Sequence, residues 1–347
     1  MTWFTWRQFR FQAAVVTGLL VAVAVFFAIT GPHLWSEFDG LKTCGAHGDC
    51  GSLTQSVDNG YSKIYTFVQA LSIALPVLLG MFWGAPLIAR ELESGTYRLA
   101  WTQGVTRGRW VVTKLLVVGG ASMLAAGLMS WMLTWWASPY DTLSADRFSS
   151  SIFDSSYLVP IGYAAFAFAL GVAGGVLWRR TVPAMATTLV AYIAIRLPFS
   201  HFIRPRLLTP LHKVTTLKHA QNIGFDRTPT GMSFVVGDSS QPDALLVSNS
   251  VVGNHGGVMS SQWLKTNCRA LFNFNPPPGK AGPTSTGARP DFFTNCMSKI
   301  TASFHQVLTY QPASRFWTFQ WIEMSIYIVL AIFLGLFTYW WMRRHVA

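Results

Sequence analysis

The sequence predicts an all-α polytopic membrane protein with six transmembrane helices, both termini inside, and an extracytoplasmic α/β or irregular domain between helices five and six. Three observations lead there. Hydrophobic residues make up 51% of the 347-residue chain and charged residues only 12%, a balance unsuited to a surface that faces water. Six stretches supply the roughly 20 apolar residues that a helix rising about 1.5 Å per residue needs to cross about 30 Å of hydrocarbon. The basic residues of the short connections fall mainly on one side of those stretches.

The six stretches are residues 11–30, 64–89, 110–137, 157–178, 182–199 and 316–342, each ending in turn formers, charges or interfacial aromatics. The first is long and shows no small-residue cleavage site before Pro32 and His33, so it is expected to be retained rather than removed as a signal peptide. One face carries Arg7, Arg10, Arg90, Arg98, Arg107, Arg109, Lys114, Arg179, Arg180, Arg343 and Arg344, against Lys42, Lys63 and Arg147 in the opposite short loops. Basic loops resist translocation, which puts both termini in the cytoplasm. The expected organisation is residues 1–200 holding helices one to five with a cytoplasmic elbow at 89–109, an outer domain at 201–315, and the last helix with its tail at 316–347. Segment 201–315 is too long for a simple loop, and the pattern across 244–252 suggests short strands.

The net charge of +12 would suggest a nucleic-acid partner in a soluble chain, but sorting the charges by side accounts for most of it, and no nucleic acid is expected. All four cysteines, Cys44, Cys50, Cys268 and Cys296, fall on the face assigned to the oxidising exterior. Of three possible pairings, proximity favours Cys44 with Cys50 and Cys268 with Cys296. Cys44, His47 and Cys50 also fit a fragment of a metal site, although no metal is assigned. The glycine-rich phosphate loop G-x-x-x-x-G-K-[ST] is absent, as are H-E-x-x-H and G-x-S-x-G, so no catalytic residue and no cofactor are assigned to the chain.

The elbow joining the second and third helices mixes Glu91 and Glu93 with Arg90 and Arg98, sets Leu92, Leu99 and Trp101 apart as an apolar side, and carries Gly95 and Gly104 where sharp turns are possible. Composition alone leaves two readings open, a docking surface for a soluble partner and an ordinary solvated loop. The run from Gly84 through Ala89-Arg-Glu-Leu-Glu-Ser-Gly-Thr-Tyr-Arg-Leu-Ala-Trp-Thr to Gln103, together with Tyr310-Gln-Pro-Ala-Ser-Arg-Phe-Trp-Thr-Phe-Gln320, resembles permeases of the type-2 ABC exporter family. That resemblance rests on an E-x-x-x-G-T pattern after the second helix and on the layout of six helices. It implies that Arg90, Glu91, Glu93, Gly95, Thr96 and Arg98 form the coupling surface for an ATPase subunit, present in two copies and supplying ATP and Mg. A second permease chain, identical or related, and membrane lipid complete the implied partners. The implied location is the cytoplasmic membrane of a bacterium, and the implied cargo is a drug-like, peptide or lipid molecule. The rival function is a membrane-embedded sensor or immunity protein that signals to a cytoplasmic partner.

Two charges fall within or near the lipid zone. Glu323 sits about 10 Å inside the sixth helix by helix rise, and Arg196 near the outer end of the fifth. Intramembrane ionisable groups face the bundle interior and find partners, so an Arg196 to Glu323 ion pair bracing an outer gate is expected; snorkelling of Arg196 to the headgroups is the alternative. Gln69, Ser72, Thr187, Thr188 and Tyr192 are candidate linings of a substrate path, with helix-packing hydrogen bonds the competing account. Ala167, Gly171 and Gly175 form a small-residue stripe suited to close helix packing, and Pro76 and Pro86 are expected to bend the second helix.

Overall fold

In hydrocarbon every backbone N–H and C=O must be satisfied within the chain, so long apolar segments become helices. The computed structural model describes residues 2–45, 51–95, 106–144, 146–217, 223–228, 231–236, 242–254, 256–269 and 291–345. In chain order they form α1 (Thr2–Gly45), α2 (Gly51–Leu79), α3 (Ala85–Ser94), α4 (Arg107–Ser144), α5 (Ser150–Ser155), α6 (Val159–Trp178) and α7 (Thr181–Pro198). Strands β1 (Leu211–Thr216), β2 (Ile223–Thr228), β3 (Gly231–Val236) and β4 (Leu245–Gly253) follow, then α8 (Ser261–Asn267), α9 (Asp291–Ser303), β5 (Phe304–Gln311) and α10 (Phe316–His345). Contacts divide the chain into two units, residues 1–207 with 314–347, and residues 208–313.

The first unit contains six helical segments long and apolar enough to cross a membrane. They are Phe9–Gly40, Gly60–Ser94, Gly108–Pro139, Val159–Trp178, Thr181–Arg206 and Ala313–His345, here spans 1 to 6. Most overrun the expected limits. The first helix continues through Pro32, which removes one hydrogen bond but leaves the flanking turns intact. Between Pro76 and Pro86, residues Gly80–Gly84 adopt a π-helical turn, the form the expected distortion of span 2 takes.

Span 4 is the axis of the bundle: 72% of its apolar window is buried, against 6% for span 1. Its stripe of Ala167, Gly171 and Gly175 meets the π turn and the start of α3. A Cβ on Gly171 would lie 2.2 Å from the Gly80 carbonyl oxygen, one on Gly175 2.6 Å from that of Ala85, and one on Gly84 2.5 Å from that of Phe168. Backbone thus rests on backbone, the approach only small residues permit.

Side-chain contacts identify the elements that share each end of the bundle. At one end, Phe9 of span 1 packs edge-on to Trp83 with ring centroids 4.5 Å apart, Gly108 lies under the Tyr339 ring, and Arg179 Nη2 donates to the His345 carbonyl oxygen at 2.9 Å. This end carries the elbow helix α3. At the other end Tyr65 donates to Asp141, and span 4 begins where Gln320 Oε1 of span 6 accepts from the N–H groups of Leu158 (3.1 Å) and Val159 (3.0 Å). Those N–H groups belong to the N-cap and the first residue of span 4, and a span 6 side chain caps them.

The second unit pairs β1, β5 and β4 in an antiparallel sheet, with β2 and β3 as a separate hairpin. The strand expected across 244–252 is β4. Phe304 and Leu308 alternate inward along β5, and Phe304 joins Leu217, Val236, Val251, Leu264, Phe293 and Ile300 in the core. A disulfide joins Cys268 to Cys296 within that core, as the shorter-spacing pairing anticipates. Cys50 and the side chain of Cys44 lie outside the described residues.

Candidate functional site

The elbow is a helix rather than an irregular loop. Span 2 passes through its π turn directly into α3, with Pro86 just past the junction. Gly95 ends the helix with φ of 71°, a left-handed conformation that favours glycine. Arg90 and Glu93 are exposed and Glu91 is partly buried, yet both carboxylates bond to other helices of the bundle. Glu91 Oε1 accepts from Lys114 Nζ of span 3 at 2.5 Å, and the Lys114 side chain is only 1% exposed. The Lys114 ammonium also lies 4.4 Å from the centre of the Trp110 ring, so an aromatic face and a carboxylate together replace its hydration. Glu93 Oε2 accepts from the N–H (3.3 Å) and hydroxyl (3.0 Å) of Thr181, the first residue of span 5. Arg180 at the N-cap of span 5 supplies no side-chain cap, so a carboxylate from another helix meets the positive end of the span 5 dipole.

Glu91 and Glu93 are thus bonded within the chain, Glu93 at the surface beside the exposed Arg90. Thr96 and Arg98 lie outside the described residues. Sequence reasoning counted Lys114 among the loop charges and missed its burial. The signal was its position four residues beyond Trp110, one helical turn inside span 3.

The second candidate lies toward the opposite end. Arg204 Nε donates to Glu323 Oε2 at 2.8 Å and Arg204 Nη2 to Glu323 Oε1 at 3.0 Å, a two-pronged pairing. Arg204 also donates to Asp154, whose second oxygen is 2.9 Å from Arg196. The single hydroxyl proton of Tyr163 of span 4 is shared between Glu323 and, at 3.1 Å, Asp154. Two carboxylates and two guanidiniums therefore form one buried network of cancelling formal charge, fastening α5 and spans 4, 5 and 6. Aromatic faces complete the shell: the Arg196 guanidinium is 3.9 Å from the Tyr163 ring centre and that of Arg204 is 4.2 Å from Phe153.

The direct Arg196 to Glu323 pair is thus replaced by two pairs. Span 5 continues past Pro198 through a π turn and a 3-10 turn, which carry Arg204 to Glu323, while Arg196 reaches Asp154 of the short helix α5. Of the path candidates, Ser72 donates to the Ser155 carbonyl (2.7 Å), Thr187 to that of Pro183 (2.9 Å) and Thr188 to that of Ala184 (2.6 Å). The first joins span 2 to α5, and the other two stay within span 5, each reaching four residues back along the same helix. Gln69 Nε2 and the Tyr192 hydroxyl are buried without a hydrogen-bond partner among the described residues. No cluster of three or more His, Cys, Asp or Glu able to hold a metal occurs among the described residues.

Compared with known protein families, residues 17–204 match the family described as ABC-2 membrane transporter related, a region that takes in most of span 1, spans 2 to 5 and the elbow. No curated protein and no solved structure matches the chain.

Proposed function

This chain belongs to the ABC-2 membrane transporter related family, whose members are transport permeases, and from that membership we propose that it is the membrane-spanning half of an ATP-driven exporter. Two such halves, identical or related, enclose the path, and two ATPase subunits holding ATP and Mg dock at the elbow end. Both termini then lie in the cytoplasm of a bacterium, and the second unit lies outside its cytoplasmic membrane. The aromatic content of 14% suits amphipathic or lipophilic cargo such as drugs, peptides or lipids.

The attachment of α3 is the observation that supports this reading. The helix rests on span 4 through glycine contacts, is tied to span 3 by Glu91 and Lys114, and holds the start of span 5 through Glu93. Displacing α3 therefore displaces three spans, which is the mechanical requirement of a part that receives force from a soluble motor. At the far end the Asp154, Arg196, Arg204 and Glu323 network braces the region that must part when the path opens outward. The chain performs no bond chemistry in this scheme.

Purification of the tagged chain from its host in mild detergent tests the reading. A stoichiometric ATP-binding subunit is expected, with its recovery reduced by Arg90→Glu. Glu91→Lys is expected to leave that subunit bound but lower ATP hydrolysis by the complex about tenfold, and adding Lys114→Glu to restore it. An intact chain recovered alone from several detergents would overturn the reading in favour of the sensor or immunity protein.

A further inference from the structure

An open apolar groove of about 570 Å³ runs between spans 3, 4 and 6. Its walls follow one face of each outer helix: Val112, Leu116 and Gly120 on span 3, Ile332, Leu336 and Tyr339 on span 6. Phe168 and Ala169 of span 4 form the floor. From Val112 to Met123 the groove covers eleven helical steps, roughly 16 Å, about half of a 30 Å hydrocarbon core and so the depth of one leaflet. Its width comes from missing side chains: a Cβ on Gly120 would meet nothing within 4 Å, and one on Gly335 only Leu115 Cδ1, at 3.9 Å.

Both walls end in arginine at the elbow end. Arg109 stands three residues before Val112 and seven before Leu116, and Arg343 four residues after Tyr339, so helical periodicity puts each on the face that lines the groove. Both are exposed, and Arg343 Nη1 is held at 3.4 Å from the Tyr339 hydroxyl. A leaflet-deep apolar slot closed by a tyrosine and two guanidiniums matches the order of groups in a phospholipid: acyl chain, interface, phosphate. A second copy of this chain fits less well. Two-fold symmetry about the membrane normal would bring the same arginines together at one depth, where like charges repel.

We infer that this groove holds an acyl chain of an anionic phospholipid whose phosphate lies between Arg109 and Arg343. The inference needs the six spans to lie in a membrane but not the exporter reading, so a chain without an ATPase partner would still hold the lipid. The full chain, reconstituted in nanodiscs of phosphatidylglycerol and phosphatidylcholine with identical acyl chains and released into mild detergent, is examined by native mass spectrometry. Retained phosphatidylglycerol is expected to exceed phosphatidylcholine. Arg109→Gln and Arg343→Gln should each lower that preference about fivefold, the worth of one basic residue near anionic lipid. Gly120→Leu enters the slot from a position where an added Cβ meets nothing within 4 Å, and should abolish retention of both lipids at an unchanged melting temperature. Equal retention of the two lipids by the native chain, or undiminished retention by Gly120→Leu, would overturn the proposal. So would loss of a dimer in Gly120→Leu with no lipid on the native chain, an outcome that makes the groove a seam between copies.

Discussion

Glu323 is fully buried, and two of its three side-chain hydrogen bonds come from Arg204. Removing that arginine alone leaves the buried carboxylate bonded only to the Tyr163 hydroxyl, whereas removing both partners leaves Asp154 still paired with Arg196. Arg204→Met is therefore expected to destabilise the bundle by about 3–5 kcal/mol, and Arg204→Met with Glu323→Leu by distinctly less, read as resistance to heat and SDS in detergent. Equal losses in the two variants would mean that packing rather than charge dominates there. Arg196 and Glu323 were legible as intramembrane charges because ionisable residues interrupt apolar runs conspicuously. Their partners were not. Asp154 stands in a connection that reads as polar loop, and Arg204 stands beyond Pro198, where the helical pattern ends in the sequence but not in space. Such pairings depend on helix rotation and depth, which a linear pattern does not encode.

Among the elements, spans 2 and 4 are joined by absence of side chains. The stripe of Ala167, Gly171 and Gly175 was visible as a repeat of four, but its counterpart, Gly80 and Gly84, sits in a π turn whose extra residue breaks the ordinary helical period. Gly171→Leu must push backbone from backbone and is expected to cost at least about 1–3 kcal/mol and to disturb α3 with it. Gly18→Leu, in span 1 with nothing within 4 Å, should be nearly neutral. Thermal unfolding of the two variants side by side separates a packing requirement from a general intolerance of bulk. The elbow shows the same divide between pattern and place: its charges were evident, but only the folded bundle reveals that Glu91 bonds to Lys114 and Glu93 to Thr181.

At the scale of the whole molecule, six apolar segments and a long polar insertion were legible because bilayer thickness and hydropathy act on composition alone. The strand pairing of the second unit was not, since β1 and β5 are separated by almost the full insertion. The Cys268–Cys296 bridge closes a loop of 28 residues within that unit. Replacing both cysteines by serine should lower the unit's resistance to urea and protease by roughly 3–4 kcal/mol, with the helical bundle unaffected. Simultaneous loss of the bundle would show that the units fold as one. The capping of span 4 by Gln320 and the binding of Arg204 by Glu323 also bear on biosynthesis. Arg204 precedes Glu323 by 119 residues. At about 5–20 residues per second, span 5 waits on the order of ten seconds for its counterion to be translated. During that interval spans 4 and 5 hold unsatisfied polar groups, so the ribosome delivers an incomplete bundle that depends on the insertion machinery for shelter until its final helix arrives.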